Sequence, residues 1–190
     1  MSEAGAGAVD RARLLDLLTR RSYQKKRVVL SSGRESDFYI DCKKTVLTAE
    51  GHWLVGRLLF ESIRTHAAAA TGVGGLTMGA DPLASAVSLV SHLALNPLAA
   101  FLVRKEPKGH GSSQWIEGLE GLAPGASVAI VEDVITTGAS TIKAVERARA
   151  AGLTVVGAFA LVDRSEGGRE TIAATDCPVH ALFVRGDFPP

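Results

Sequence analysis

With 190 residues, 46% of them hydrophobic and 22% charged, the chain has the size and composition of one globular domain with a sizeable core. A formal net charge of +1 offers no global attraction to nucleic acid or an anionic membrane, so any anion site must be local and neither partner is expected. The two cysteines, Cys42 and Cys177, lie far apart without CxxC spacing, and no basic segment leads into an apolar stretch at the start; disulfide frameworks, zinc sites and secretion are disfavoured, and a cytoplasmic setting is expected.

In chain order, residues 1–8 are Ala/Gly-rich and read as flexible, and a helix is predicted from about Val9 to Arg21 with Leu14, Leu15, Leu17 and Leu18 on its apolar side. "RVVLSSGRESDFYIDCK" reads as two short strands around a Ser-Gly turn, enough for a small N-terminal hood. "AEGHWLVGRLLFESIRTH" has helical spacing, with Trp53, Leu54, Leu58 and Ile63 expected inside, and the glycine-rich turn region "GVGGLTMGADP" follows. Between Asp81 and Arg104 no residue carries a formal charge, a run long enough to span a bilayer; its serines, His92 and the Asn96-Pro97 break divide it instead into a buried helix and the strand "LAAFLVR". Strands are predicted at Ala99–Val103, Val128–Val131, Val155–Val162 and Val179–Val184, and helices near Ser140–Ala151 and Arg169–Ala174. This alternation predicts an α/β fold, a mostly parallel central sheet flanked by helices, in a single domain spanning 1–190. Ligands then belong at the C-terminal edge of the strands.

The stretch "VAIVEDVITTGAS" (128–140) raises the sharpest question, because two carboxylates stand where an apolar strand should end. Backbone N–H groups where Thr136–Ser140 turn into a helix can hold a phosphate, helped by the hydroxyls of Thr136, Thr137 and Ser140, and Gly138 permits close approach. Glu132 and Asp133 cannot hold phosphate, but as strong acceptors they suit sugar hydroxyls or a metal bridge. Together they imply a phosphorylated sugar. Taken alone, an acidic pair more often simply ends a strand, and Ser140 would be an ordinary helix cap. The stretch matches neither the P-loop nor GxGxxG, which disfavours a nucleoside triphosphatase.

Two further clusters carry charge. "RKEPKGHG" places Arg104, Lys105, Lys108 and His110 among Pro107, Gly109 and Gly111, a composition suited to a mobile lid closing on an anion; an isolated cluster of this kind is usually a solvated basic loop. In "LVDRSEGG", Arg164 follows a strand and could grip a carboxylate with two parallel hydrogen bonds, or make a surface ion pair. His52, His66, His92 and His180 lack ligand spacing and are assigned no role.

"VAIVEDVITTGAS" resembles the ribose-phosphate signature of the type I phosphoribosyltransferases. "SSGRESDFYID", "GLTMGADPLA", "RKEPKGHG" with "IEG", and "LVDRSEGG", in that order across roughly residues 28–168, narrow the resemblance to the orotate phosphoribosyltransferases. The resemblance implies magnesium-dependent transfer of ribose 5-phosphate from phosphoribosyl pyrophosphate (PRPP) to orotate, on a homodimer whose lid reaches into the neighbouring site. It implies that PRPP meets Arg104, Lys105, Lys108 and His110 and the run Glu132, Asp133, Val134, Ile135, Thr136, Thr137, Gly138, Ala139 and Ser140. Lys108, Lys105 and Asp133 would be catalytic, orotate would meet Thr136, Arg164, Phe38 and Tyr39, and Mg2+ would ride mainly on PRPP with no dedicated protein ligand. For Phe38 and Tyr39, core packing is an equal alternative. Many bacterial members carry lysine where Ser31 and Met78 stand; backbone amides of Thr77–Ala80 could take over part of that work. Two other readings remain: transfer to a purine or uracil, against which "DR" and "RKEPKGHG" argue, and a sensor that keeps the fold without the chemistry.

Overall fold

The structure, a computed structural model, describes residues 3–29, 35–107 and 114–190. Six strands form the central sheet in the order β5-β4-β3-β6-β7-β8: β3 (Gly72–Leu76), β4 (Ala99–Val103), β5 (Ile116–Glu117), β6 (Ser127–Ile135), β7 (Thr154–Asp163) and β8 (Val179–Val184). All neighbours pair in parallel except β5, which runs antiparallel along the β4 edge. A separate antiparallel pair, β1 (Tyr23–Val29) with β2 (Glu35–Ile40), is the expected hood.

Period-two side-chain alternation builds a core on each sheet face. Along β6, Ala129 and Val131 join the side made with α1 (Glu3–Arg21), α3 (Ala49–His66) and α4 (Asp81–Leu93). Val128 and Ile130 join the opposite side, beneath α5 (Ala139–Ala150) and α6 (Gly168–Ala173). Cover on both faces explains why the central strands read as continuous apolar runs. A one-turn helix, α2 (Lys43–Val46), links hood to α3, whose N-terminus is capped by Thr48 accepting from the Gly51 amide.

The uncharged 82–103 run is α4, a turn and β4, as read from its breaker residues, and no described helix is long and apolar enough to cross a membrane. Two boundaries move by more than one residue, and one burial expectation changes. α1 starts at Glu3 rather than Val9, because its alanines favour helix as strongly as any residue. β6 continues to Ile135, so Glu132 and Asp133 lie inside the strand, Glu132 opposite Ala160 of β7 and Val134 opposite Val162. Trp53 is 46% exposed, since the buried stripe of α3 runs through Gly51, Leu54, Val55, Leu58 and Leu59; its ring instead stands beside the Arg57 guanidinium, 5.8 Å away.

Candidate active site

From β3 the chain steps outward to β4 and later returns to the other side of β3 as β6, so the crossover direction reverses between β3 and β6. Such a reversal leaves a crevice at the strands' C-terminal ends. Four segments meet there: Thr77–Ala80 after β3, Arg104–Glu106 after β4, Thr136–Gly138 after β6, and Arg164–Gly167 after β7.

The turn after β6 has the form of an anion cradle. Gly138 holds φ 84° at the N-cap of α5, a left-handed backbone that favours glycine, and offers no side-chain cap. The first amides of α5 are therefore left for an anion. Thr136, Gly138, Ala139 and Ser140 line a small concavity with Glu132 and Thr141. Ser140 stands in the first helical turn and is not the cap.

Glu132 and Asp133 reach different partners from adjacent positions, and their carboxyl groups interact directly. Glu132 faces α5, 6% exposed, and accepts a 3.0 Å hydrogen bond from the Thr141 hydroxyl. Burial, and next the charge of Asp133, push its carboxyl up to about 8. Asp133 is half-buried, and its Oδ1 accepts from the Val134 amide at 3.0 Å. A Cβ on Gly79 would lie 2.5 Å from that oxygen, so the absence of a side chain there lets the turn after β3 close on Asp133. Gly79→Ala is expected to displace the carboxylate, lowering turnover on the order of tenfold while shifting thermal unfolding little; steady-state rates and a melting curve on one preparation check this.

At the end of β4, Arg104 and Lys105 share a cavity with Thr77, Met78 and Asp81. Arg104 pairs with Glu117 at 3.0 Å, and Asp81 Oδ1 is buried without a partner among the described residues, with burial raising the Asp81 carboxyl above its usual range. Met78 is 71% exposed, whereas Lys108, His110 and Ser31 lie outside the described residues.

At the end of β7, the Arg164 amide donates to the Ile135 carbonyl at 3.0 Å, tying that end to the cradle. The Arg164 side chain is buried: it donates to the Phe38 carbonyl at 2.8 Å and pairs with Glu166 at 3.0 Å. It is thus no surface ion pair. Phe38 is 3% exposed and packs on Tyr23 and Phe188 at ring distances of 5.1 and 5.4 Å; this ring belongs to the core, while its backbone carbonyl holds Arg164. Tyr39 is half-buried. Ile135 is likewise a core side chain, 1% exposed, so within the 132–140 run it can reach a ligand only through its backbone. Motif reading places Gly79 only within the Thr77–Ala80 amides, not against Asp133, and misses Thr141, for which a hydroxyl nine residues after Glu132, one turn into a helix, is the available signal.

Fold and site together define a phosphoribosyltransferase, and the family model described as a phosphoribosyl transferase domain matches residues 51–181. An orotate phosphoribosyltransferase of Sorangium cellulosum is 58% identical over 187 residues, covering 98% of this chain and 97% of the relative. The crystal structure of the Mycobacterium tuberculosis orotate phosphoribosyltransferase with Fe(III) dicitrate superposes with TM-score 0.80 at 40% identity, covering 94% of this chain and 98% of that one. The same enzyme's complex with PRPP gives TM-score 0.76 at 37% identity over 94% and 98%. The chain belongs to the orotate phosphoribosyltransferase family.

Proposed function

We propose that this chain, acting as one domain over residues 1–190, joins orotate to the ribose 5-phosphate of PRPP to give orotidine 5'-monophosphate and pyrophosphate, a step of pyrimidine biosynthesis in the cytoplasm. The carrying observation is that the Gly138 cradle, the Glu132–Asp133 pair and the Thr77–Ala80 turn meet at one sheet edge, with Gly79 seated against Asp133. The 5'-phosphate rests on the α5 amides and the hydroxyls of Thr136, Thr137 and Ser140, and Val134 to Ala139 shape the walls. Glu132 and Asp133 accept from the ribose hydroxyls, and the negative charge of Asp133, joined by that of Glu132 when it ionises, favours the positive charge that builds at the anomeric carbon.

In the reaction, the orotate ring nitrogen forms the new bond to the anomeric carbon as the bond to the pyrophosphate oxygen breaks. Arg104, Lys105, Lys108 and His110 take up the leaving group's charge, and Lys108 is the strongest candidate for the acid or electrostatic catalyst. Arg164 holds the orotate carboxylate beside Thr136 and the hood residues Phe38 and Tyr39. Magnesium would be held mainly by PRPP oxygens and water, with the carboxyl groups of Glu132 and Asp133 nearby as hard oxygen acceptors and no dedicated protein ligand. When bound, magnesium neutralises charge on the pyrophosphate.

The working form is a homodimer with the 104–110 loop acting on the neighbouring site; exposed Trp53 and Leu93 on α3 and α4 are apolar surface that a second copy would cover. Mixing a Lys108→Ala variant with an Arg164→Ala variant is expected to restore activity, because one hybrid site is intact. No recovery would mean that the loop serves its own subunit. The reaction itself is tested by following orotate loss by ultraviolet absorbance with PRPP and magnesium, with adenine, hypoxanthine and uracil as rival bases. Consumption of orotate alone is expected; a preferred rival base would reassign the substrate.

A further inference from the structure

Helix α5 begins at the phosphate cradle and, two turns past Ser140, reaches the ends of β4 and β5 through Arg147. The Arg147 guanidinium donates from Nη1 to the Arg104 carbonyl and from Nη2 to the Lys105 carbonyl at 3.3 Å. Its plane lies over the Trp115 ring, 3.8 Å from the centroid. Trp115 is joined to the same place, since its carbonyl accepts from the Arg104 amide at 2.9 Å. One side chain therefore grips the backbone of both cations that line the cavity with Thr77, Met78 and Asp81, and also stacks on the residue that leads into β5.

We propose that Arg147 is a positioning residue for the pyrophosphate half of the reaction: it fixes the backbone from which Arg104 and Lys105 reach the leaving group, anchoring the root of the 104–110 loop to helix α5 of its own subunit. This rests on the proposed function above. Arginine suits the task because two parallel donors and a flat stacking face come from one rigid group, which lysine cannot reproduce. Arg149, one turn's fraction further along α5, makes a chemically similar pair of bonds, to the carbonyls of Thr175 at 2.8 Å and Asp176 at 3.1 Å, remote from these cations. It is the natural control for a merely structural clamp.

The test compares Arg147→Met, Arg147→Lys, Trp115→Leu and Arg149→Met in the full chain. Arg147→Met should lower kcat/KM for PRPP on the order of ten- to a hundredfold, with KM for orotate within about twofold of wild type. Arg147→Lys, which keeps the charge, should recover only part of that loss, Trp115→Leu should show a smaller loss of the same kind, and Arg149→Met should leave both parameters unchanged. Wild-type kcat/KM for PRPP in Arg147→Met, full recovery by Arg147→Lys, or the same pattern in Arg149→Met would overturn the proposal. If Arg147→Met does not fold, Arg147→Lys and Trp115→Leu carry the comparison. Failure of the wild-type protein to use orotate would instead reject the proposed reaction. Titration of inorganic pyrophosphate against Trp115 fluorescence in a Trp53→Phe background then still decides the clamp, which requires weaker binding on Arg147→Met.

Discussion

Replacing Glu132 by glutamine is expected to make the ligand-free protein more stable at pH 8 while lowering turnover on the order of a hundredfold. The side chain is 6% exposed, and its carboxyl is raised from 4.5 to about 8 by burial and by Asp133. Between those values the folded chain holds a proton that the unfolded chain has released, so this group's stabilising contribution falls as pH rises through the window. Glutamine does not titrate yet can still accept from Thr141, so the variant lacks that loss. The difference between the two proteins should be near zero at pH 4.5 and grow to on the order of 2–4 kcal/mol by pH 8. Thermal unfolding across this range, with wild type and variant side by side, checks it; parallel curves would contradict it. From pH 8 upward, where the wild-type carboxyl ionises, turnover is lost because a neutral amide gives less to a developing positive charge than a carboxylate does.

Arg164→Ala is expected to weaken orotate binding on the order of a hundredfold and also to cost about 3 kcal/mol of stability, because it breaks a nearly buried ion pair and leaves the Glu166 charge unbalanced. The Arg164 and Glu166 side chains are 8% and 11% exposed, and the 2.8 Å bond to the Phe38 carbonyl is lost as well. Adding Glu166→Ala should return much of the stability without restoring orotate, which separates the two roles. Lysine should not rescue, since a single ammonium cannot serve the Phe38 carbonyl, Glu166 and a planar carboxylate together. KM values for orotate and PRPP, read beside a denaturant titration, test this; equal loss for both substrates would contradict it.

The fold was legible wherever local pattern and final environment agree. β4 and β8 fall on their predicted bounds because short β-branched and apolar runs between turn signals fit a sheet covered on both faces, and α5 and α6 are displaced by one residue. Glu132 and Asp133 misled the reading of β6, because charge inside a buried strand is a stop signal unless a partner exists; Thr141 and Gly79 meet the pair only after folding. Trp53 misled the reading of α3, since large and apolar was taken for buried although it stands off the helix's inner stripe. Within the site, the cradle was legible because Gly138 and its neighbouring hydroxyls are contiguous. Arg147 was not, since its partners Arg104, Lys105 and Trp115 lie over thirty residues away and backbone carbonyls leave no mark in sequence.

Phosphorus NMR of the purified protein with PRPP, magnesium and orotate tests the central claim most directly. The predicted result is loss of the PRPP resonances with equal growth of inorganic pyrophosphate and of the phosphomonoester of orotidine 5'-monophosphate, only when orotate is present. PRPP that persists with orotate, or that is consumed only with a different base, would contradict it.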